Sequence, residues 1–181
     1  WFNYTVKIPV RNSDGSYGTK LALVPVNRDV HVGYLDYTRK NTLDLAFKYL
    51  GNRYGWGGSL NSRDCSELVM SVYSCFGFKL PRDVSTQSKI PTAQSVGNMT
   101  DYEKSVVLDN TPPGAILQFK GHEMLYLGKV NGKYYILNAS GSINSNGVNT
   151  YINTITIYSL DVLRANGVSF YSAINNVVDI K

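Results

Sequence analysis

Asn131-Gly132 separates two runs of alternating apolar and polar residues, Glu123–Val130 and Tyr134–Ala139. An Asn-Gly pair tolerates positive φ at both positions, as a tight hairpin turn between twisted strands demands. The pair therefore commits the second half of the chain to antiparallel strands in a fixed register. Neighbouring punctuation extends the pattern. Thr111-Pro112-Pro113-Gly114 is a turn feeding a strand over Ala115–Phe119, and Gly121-His122 opens the next strand. Tyr151–Tyr158 alternates as a further strand, residues 140–149 read as an Asn- and Ser-rich loop, and Asp161–Asn166 as a short helix or turn.

Upstream the period changes. Leu43, Ala46, Phe47 and Leu50 mark the apolar face of a helix capped by Thr38, Asn41 or Thr42 and stopped at Gly51. Leu68, Val69, Val72, Cys75 and Phe76 mark a second helix, which Gly77 ends. After Leu80-Pro81-Arg82-Asp83, Val84–Ile90 is expected to be a short polar helix and residues 93–108 irregular. Helices early and a strand meander late define an α+β domain. Residues 1–35 differ: the runs Tyr4–Val10 and Leu21–Val26 flank the turn formers Asn12–Ser16, like the last strands of a small β-barrel.

Composition narrows the class. In 181 residues, 43% hydrophobic and 17% charged suit one globular domain with a small appendage. The 14 Tyr and 6 Phe favour β-structure and a surface able to stack on sugars or peptides. No apolar run approaches the ~20 residues of a membrane-spanning helix. The net charge of +5 comes from scattered Lys and Arg, without the basic stripe of a nucleic-acid binder. It fits a solvated surface or attraction to an anionic polymer such as a cell wall. A chain that opens on Trp1 and not Met is expected to be a processed or excised piece, and any export signal would lie upstream.

The chemistry centres on Arg63-Asp64-Cys65-Ser66-Glu67, where the turn-rich stretch Tyr54-Gly55-Trp56-Gly57-Gly58 gives way to the second helix. Unpaired backbone N–H groups and the helix dipole there favour a thiolate over a thiol. Cys75, the second cysteine, lies ten residues on. That is roughly 15 Å along a helix, beyond disulfide reach. It shares the apolar face and reads as core. With no Cys-x-x-Cys, and with His31 and His122 far apart, a zinc site is not expected. A nucleophilic cysteine needs a base, and the base needs a group to fix its tautomer. His122, at a strand start, is the candidate base; His31 ranks below it. If the Asn131-Gly132 hairpin forms, Asn138 returns beside His122 and can orient the ring. Asp64 can cap the helix, and Asp64 and Ser66 flank the thiol.

These residues resemble the signature of the NlpC/p60 family of bacterial cell-wall cysteine peptidases. Tyr54-Gly55-Trp56-Gly57-Gly58 with Asp64-Cys65-Ser66 is similar to its first block. Pro113-Gly114-Ala115-Ile116-Leu117 and Tyr126-Leu127-Gly128, on either side of His122, are similar to its second, and Ile136-Leu137-Asn138-Ala139-Ser140 to its third. Leu80-Pro81-Arg82 with Gln87 also occurs in a branch that carries bacterial SH3-like domains. The resemblance implies a papain-like α+β fold over residues 36–181, preceded in 1–35 by part of an SH3-like β segment. It implies a secreted, extracellular or cell-envelope hydrolase that needs no cofactor. Its partners would be peptidoglycan stem peptides or muropeptides, cut between γ-D-glutamate and the diamino acid. Cys65 would be the nucleophile, His122 the base and Asn138 the orienting group, with Tyr54, Trp56, Asp64 and Ser66 facing substrate. Three departures stand out: Asn138 where His is usual, Glu123-Met124 where a small residue is common, and Glu67 after Asp-Cys-Ser. The competing readings are a wall-binding module without turnover, and an amidase or acyltransferase using the same three residues.

Overall fold

The computed structural model of the protein describes residues 3–181; Trp1 and Phe2, where the expected N-terminal segment begins, lie outside the described residues. The chain falls into two units, one ending at Tyr34 and one running Leu35–Lys181. In the first, β1 (Asn3–Arg11) pairs antiparallel with β2 (Tyr17–Pro25) from Asn3↔Pro25 to Arg11↔Tyr17. Asp14 closes the turn by accepting from the Ser16 N–H at 2.9 Å. Tyr17, Leu21 and Leu23 stay exposed on this ribbon. One hairpin is what the described residues show of the expected barrel.

The second unit runs α1 (Arg39–Lys48), α2 (Cys65–Ser74), α3 (Val84–Gln87), β3 (Ala93–Ser95) and α4 (Asp101–Asn110), then the strands β4 (Ile116–Phe119), β5 (His122–Val130), β6 (Lys133–Ser145) and β7 (Val148–Ser159), and ends with α5 (Phe170–Ala173) and β8 (Asn176–Val178). Six strands form one antiparallel sheet in the order β3-β8-β4-β5-β6-β7. Asn131 and Gly132 take φ of 50° and 77° and close the β5–β6 hairpin as expected.

Helices cover both faces of the sheet. On one, Ala46 of α1 and Leu68, Val69, Val72 and Tyr73 of α2 pack on Leu125, Leu137 and Ile155. On the other, Leu108 of α4 and Phe170 of α5 pack on Met124, Tyr126 and Ile136. Consecutive side chains of a strand point to opposite faces. A continuous apolar run such as Met124-Leu125-Tyr126 is therefore buried on both sides.

Several local expectations change. Residues 93–108, read as irregular, contain β3 and most of α4. Thr100 and Glu103 form a capping box at the start of α4, which burial of Leu108 then anchors. Residues 140–149, read as a loop, are the outer half of a β6–β7 ribbon that turns at Asn146-Gly147, with φ of 53° and 83°. Its mostly polar side chains hide it, because only Ile143 packs against the core and the ribbon's tip is exposed. Residues 161–166 form a turn, with the Arg164 N–H bonded to the Val168 carbonyl at 2.9 Å. Thr38 is the N-cap of α1, which turns Thr42 and Ala46 inward and leaves Phe47 and Leu50 exposed. Cys75 is only half-buried, its Sγ donating to the Ser71 carbonyl at 3.4 Å, and lies at the margin of the core. No helix of the described residues is long and apolar enough to cross a membrane.

Leu137 is fully buried where α2 meets the sheet. Leu137→Ala should cost about 2–5 kcal/mol. Urea unfolding followed by circular dichroism checks this, and a loss below ~1 kcal/mol would place that packing elsewhere.

Candidate active site

The loop ahead of α2 is shaped by close backbone approach. A Cβ on Gly55 would lie 1.8 Å from the Ser62 hydroxyl, so only glycine fits there. On either side of Gly55, the Tyr54 N–H bonds the Asn153 carbonyl of β7 at 3.0 Å, and Trp56 is 82% exposed. Asp64 caps α2: its Oδ1 accepts from the Glu67 N–H at 2.9 Å and its Oδ2 from the Gly57 N–H at 3.0 Å. Cys65 follows as the first helical residue, 8% exposed.

Arg82, between α2 and α3, completes this side. Its guanidinium donates to Asp64 Oδ2 and to Ser66 Oγ, each at 2.5 Å. Burial alone would raise the Asp64 pKa, but Arg82 and the Glu67 and Gly57 N–H groups outweigh it and hold the carboxyl below its usual range. Asp64 and Ser66 therefore lie beside the thiol, buried and engaged, while the half-exposed Arg82 faces the cleft. This cleft, of about 430 Å³, is lined by Trp56, Asp64, Cys65, Ser66, Arg82 and Gly121 among others.

The base side is built on the sheet. His122 Nε2 bonds Asn138 Oδ1 at 2.7 Å, across the hairpin that Asn131-Gly132 closes. Tyr158 of β7 fixes which way the amide points, since its hydroxyl accepts from Asn138 Nδ2. Ser140, two residues on from Asn138, donates to the Ser142 carbonyl at 3.1 Å. The Asn138 carbonyl then faces the ring, His122 carries its proton on Nε2, and Nδ1 keeps a free lone pair. Phe119 and Phe170 wall the imidazole, with ring centroids 5.0 Å and 6.4 Å away.

Electrostatics revise the expected thiolate. Burial dominates at Cys65 and pushes the thiol up to about 11, against the favourable backbone N–H groups of Glu123 and Ser66. Burial likewise pushes His122 down to about 4; its bond to Asn138 opposes the shift and Arg164 adds to it. Desolvation thus opposes the helix terminus and favours the neutral thiol and the neutral imidazole. Among the described residues no hydrogen bond joins Sγ to His122, a looseness common in ligand-free sites. Tyr54 is close enough to Cys65 and Asp64 that their charges, after burial, raise its own pKa. His31 belongs to the other unit.

Sequence reasoning missed Arg82, Tyr158 and the role of Glu123. Glu123 points to the α2 face, 1% exposed, and its Oε2 accepts from Gln118 Nε2 at 2.8 Å. Its Oε1 is buried without a partner, as are Gln118 Oε1 and Gln87 Oε1. Burial raises its pKa to about 7. A protonated carboxyl supplies the donor that this set of acceptors lacks.

The chain belongs to the NlpC/P60 family, which it matches over residues 51–161. It is 30% identical over 112 residues to a dipeptidyl-peptidase 6 of Lysinibacillus sphaericus, covering 61% of this chain and 35% of that protein. The chain thus spans about a third of that relative's length. Among solved structures it resembles an NlpC/P60 endopeptidase from Photobacterium damselae subsp. piscicida. The TM-score is 0.78 at 22% identity, over 96% of this chain and 45% of that one. A lipoprotein-like NLP/P60 protein of Staphylococcus aureus gives 0.53 at 20%, over 86% and 46%. The fold is the papain-like α+β fold of this family.

Glu123 yields a signed prediction. In the folded protein it keeps its proton up to about pH 7, whereas the unfolded chain releases it near 4.5. The folded state binds more protons between those values, so this group's contribution to stability falls as pH rises through the window. Glu123→Gln removes that fall. The denaturant midpoint of the variant relative to the parent should therefore climb from pH 4.5 to 7. A difference that stays constant with pH would contradict a protonated Glu123.

Proposed function

We propose that the protein is a cysteine endopeptidase of the bacterial cell envelope that cuts peptidoglycan stem peptides. The supporting observation is a thiol at the start of α2 together with a histidine, on the strand that follows Gly121 of the same cleft, whose Nε2 is bonded to the Asn138 carbonyl oxygen. As the substrate carbonyl approaches, His122 Nδ1 takes the Cys65 proton and Sγ attacks the carbonyl carbon. The carbonyl π electrons move onto oxygen, where the Cys65 backbone N–H and the Tyr54 hydroxyl stabilise the anion. Collapse expels the amine, which His122 protonates. Water, deprotonated by His122, then releases the acid and restores the thiol. Burial disfavours the charge on both groups, which fits a proton that moves during attack with no standing ion pair.

The bond cut is the one between γ-D-glutamate and the diamino acid, the family's usual target. Trp56, Tyr54, Asp64 and Ser66 receive the acyl portion, the last two together with Arg82. Residues 36–181 form the catalytic domain, and residues 1–35 are part of an SH3-like segment.

Mass spectrometry of defined muropeptides tests the reaction. The parent should release a γ-D-glutamyl acid and a free diamino acid amine. Cys65→Ala should abolish this with an unchanged circular dichroism spectrum. Asn138→Ala should lower kcat about tenfold or more with little change in KM. Full cleavage by Cys65→Ala would sink the assignment, and a parent that binds muropeptides without cutting them would make the domain a wall-binding module.

A further inference from the structure

Two pockets meet at Gly121. One holds Cys65; the other, of about 290 Å³, holds His122 and is lined also by Phe119, Lys120, Ser140, Arg164 and Phe170. Among the described residues no acidic side chain lines the second pocket. Its half-buried Arg164 lies over the Phe119 ring, 4.1 Å from guanidinium carbon to centroid. Among the described residues neither Arg164 nor Lys120 has a carboxylate partner.

As packing alone, this placement is costly. Arg164 opposes protonation of His122, the event that the reaction depends on. A guanidinium held beside the base, stacked and unpaired, is explained if the ligand supplies the missing negative charge. The proposed reaction says which part of the ligand arrives there. The acyl carbon must sit over Cys65, and His122 must hand its proton to the departing nitrogen. The residue bearing that nitrogen therefore lies in the His122 pocket.

We propose that the His122 pocket is a carboxylate subsite, in which Arg164, assisted by Lys120, receives a free carboxylate on the residue that leaves as amine. The substrate class is peptides whose diamino acid carries an unblocked carboxylate near the scissile bond. That carboxylate is either the main-chain one of a terminal diamino acid or the side-chain one of diaminopimelate. Binding also cancels the charge that disfavours the imidazolium, which couples recognition to proton transfer. The proposal rests on the reading of the site as an endopeptidase, and its test separates the two.

The test measures binding to the Cys65→Ala protein by calorimetry, so that turnover plays no part. Four stem tripeptides serve as probes: one ending in diaminopimelate, one ending in lysine, the diaminopimelate peptide amidated at the side-chain carboxylate, and the lysine peptide amidated at the terminal carboxylate. Removing the recognised carboxylate should weaken binding about tenfold. The two amidated peptides show whether it is the side-chain or the terminal group. Adding Arg164→Gln should abolish the difference between free and amidated peptides, Arg164→Lys should restore part of it, and Lys120→Met should reduce it less. Equal binding of free and amidated peptides, or a preference that survives Arg164→Gln, overturns the subsite. Cleavage by the parent is scored separately. Cutting without carboxylate preference defeats this inference alone, whereas carboxylate-dependent binding without cutting defeats the endopeptidase reading alone.

Discussion

The contact between His122 Nε2 and Asn138 Oδ1 is the constraint on which the rest of the site depends. It crosses a single hairpin, whose register is set by the turn at Asn131-Gly132 and by a bulge between Tyr126 and Gly128, beyond which Leu125 pairs with Leu137. Without the bulge Asn138 would pair with Leu125 and face α2. A one-residue slip would send Asn138 to the opposite face, among the side chains of α2. Burial of Met124, Tyr126 and Ile136 on one face and Leu125 and Leu137 on the other penalises that slip on both sides of the sheet. Core packing thus holds the imidazole in place, and Asn138, itself held by Tyr158, fixes its proton.

Desolvation is the second organising force. Cys65, His122 and Glu123 are each pushed towards their neutral forms by burial, and only Asp64, gripped by Arg82 and two backbone N–H groups, is held towards charge. The ranking is physical. A helix terminus contributes typically 0.3–1 kcal/mol to a nearby charge, whereas taking a charge out of water costs several times more. The proposed reaction is therefore one in which charge develops only as substrate closes the site.

Much of this could be read from the sequence because the signals were local. The Asn-Gly turn, the loop-to-helix junction at Cys65 and the alternation of β5 and β6 each lie within about ten residues and put His122 and Asn138 on neighbouring strands. The bulge between Tyr126 and Gly128 that turns both to one face is not read from that alternation. Tyr158 and Arg82 could not be read this way. They reach the site from β7 and from the segment before α3, and neither sits at a recognisable spacing from its partner. Glu123 was noticed as a departure, but its role depends on burial against Gln118 and Gln87, which no spacing reveals. The outer β6–β7 ribbon is hidden for the opposite reason: among its Ser and Asn residues only Ile143 and Val148 are apolar, too few to show an alternation.

The strap between the loop before α2 and β7 has a mechanical meaning. The Tyr54 N–H holds the Asn153 carbonyl, the Gly51 N–H holds the Ile155 carbonyl, and the Ile155 N–H returns to Asn52. β7 pairs in turn with β6, which carries Asn138. The wall bearing the thiol and the wall bearing the imidazole are thus stitched through one continuous run of main-chain bonds. The cleft between them is therefore braced by backbone, so pulling the two walls apart would first have to break main-chain bonds.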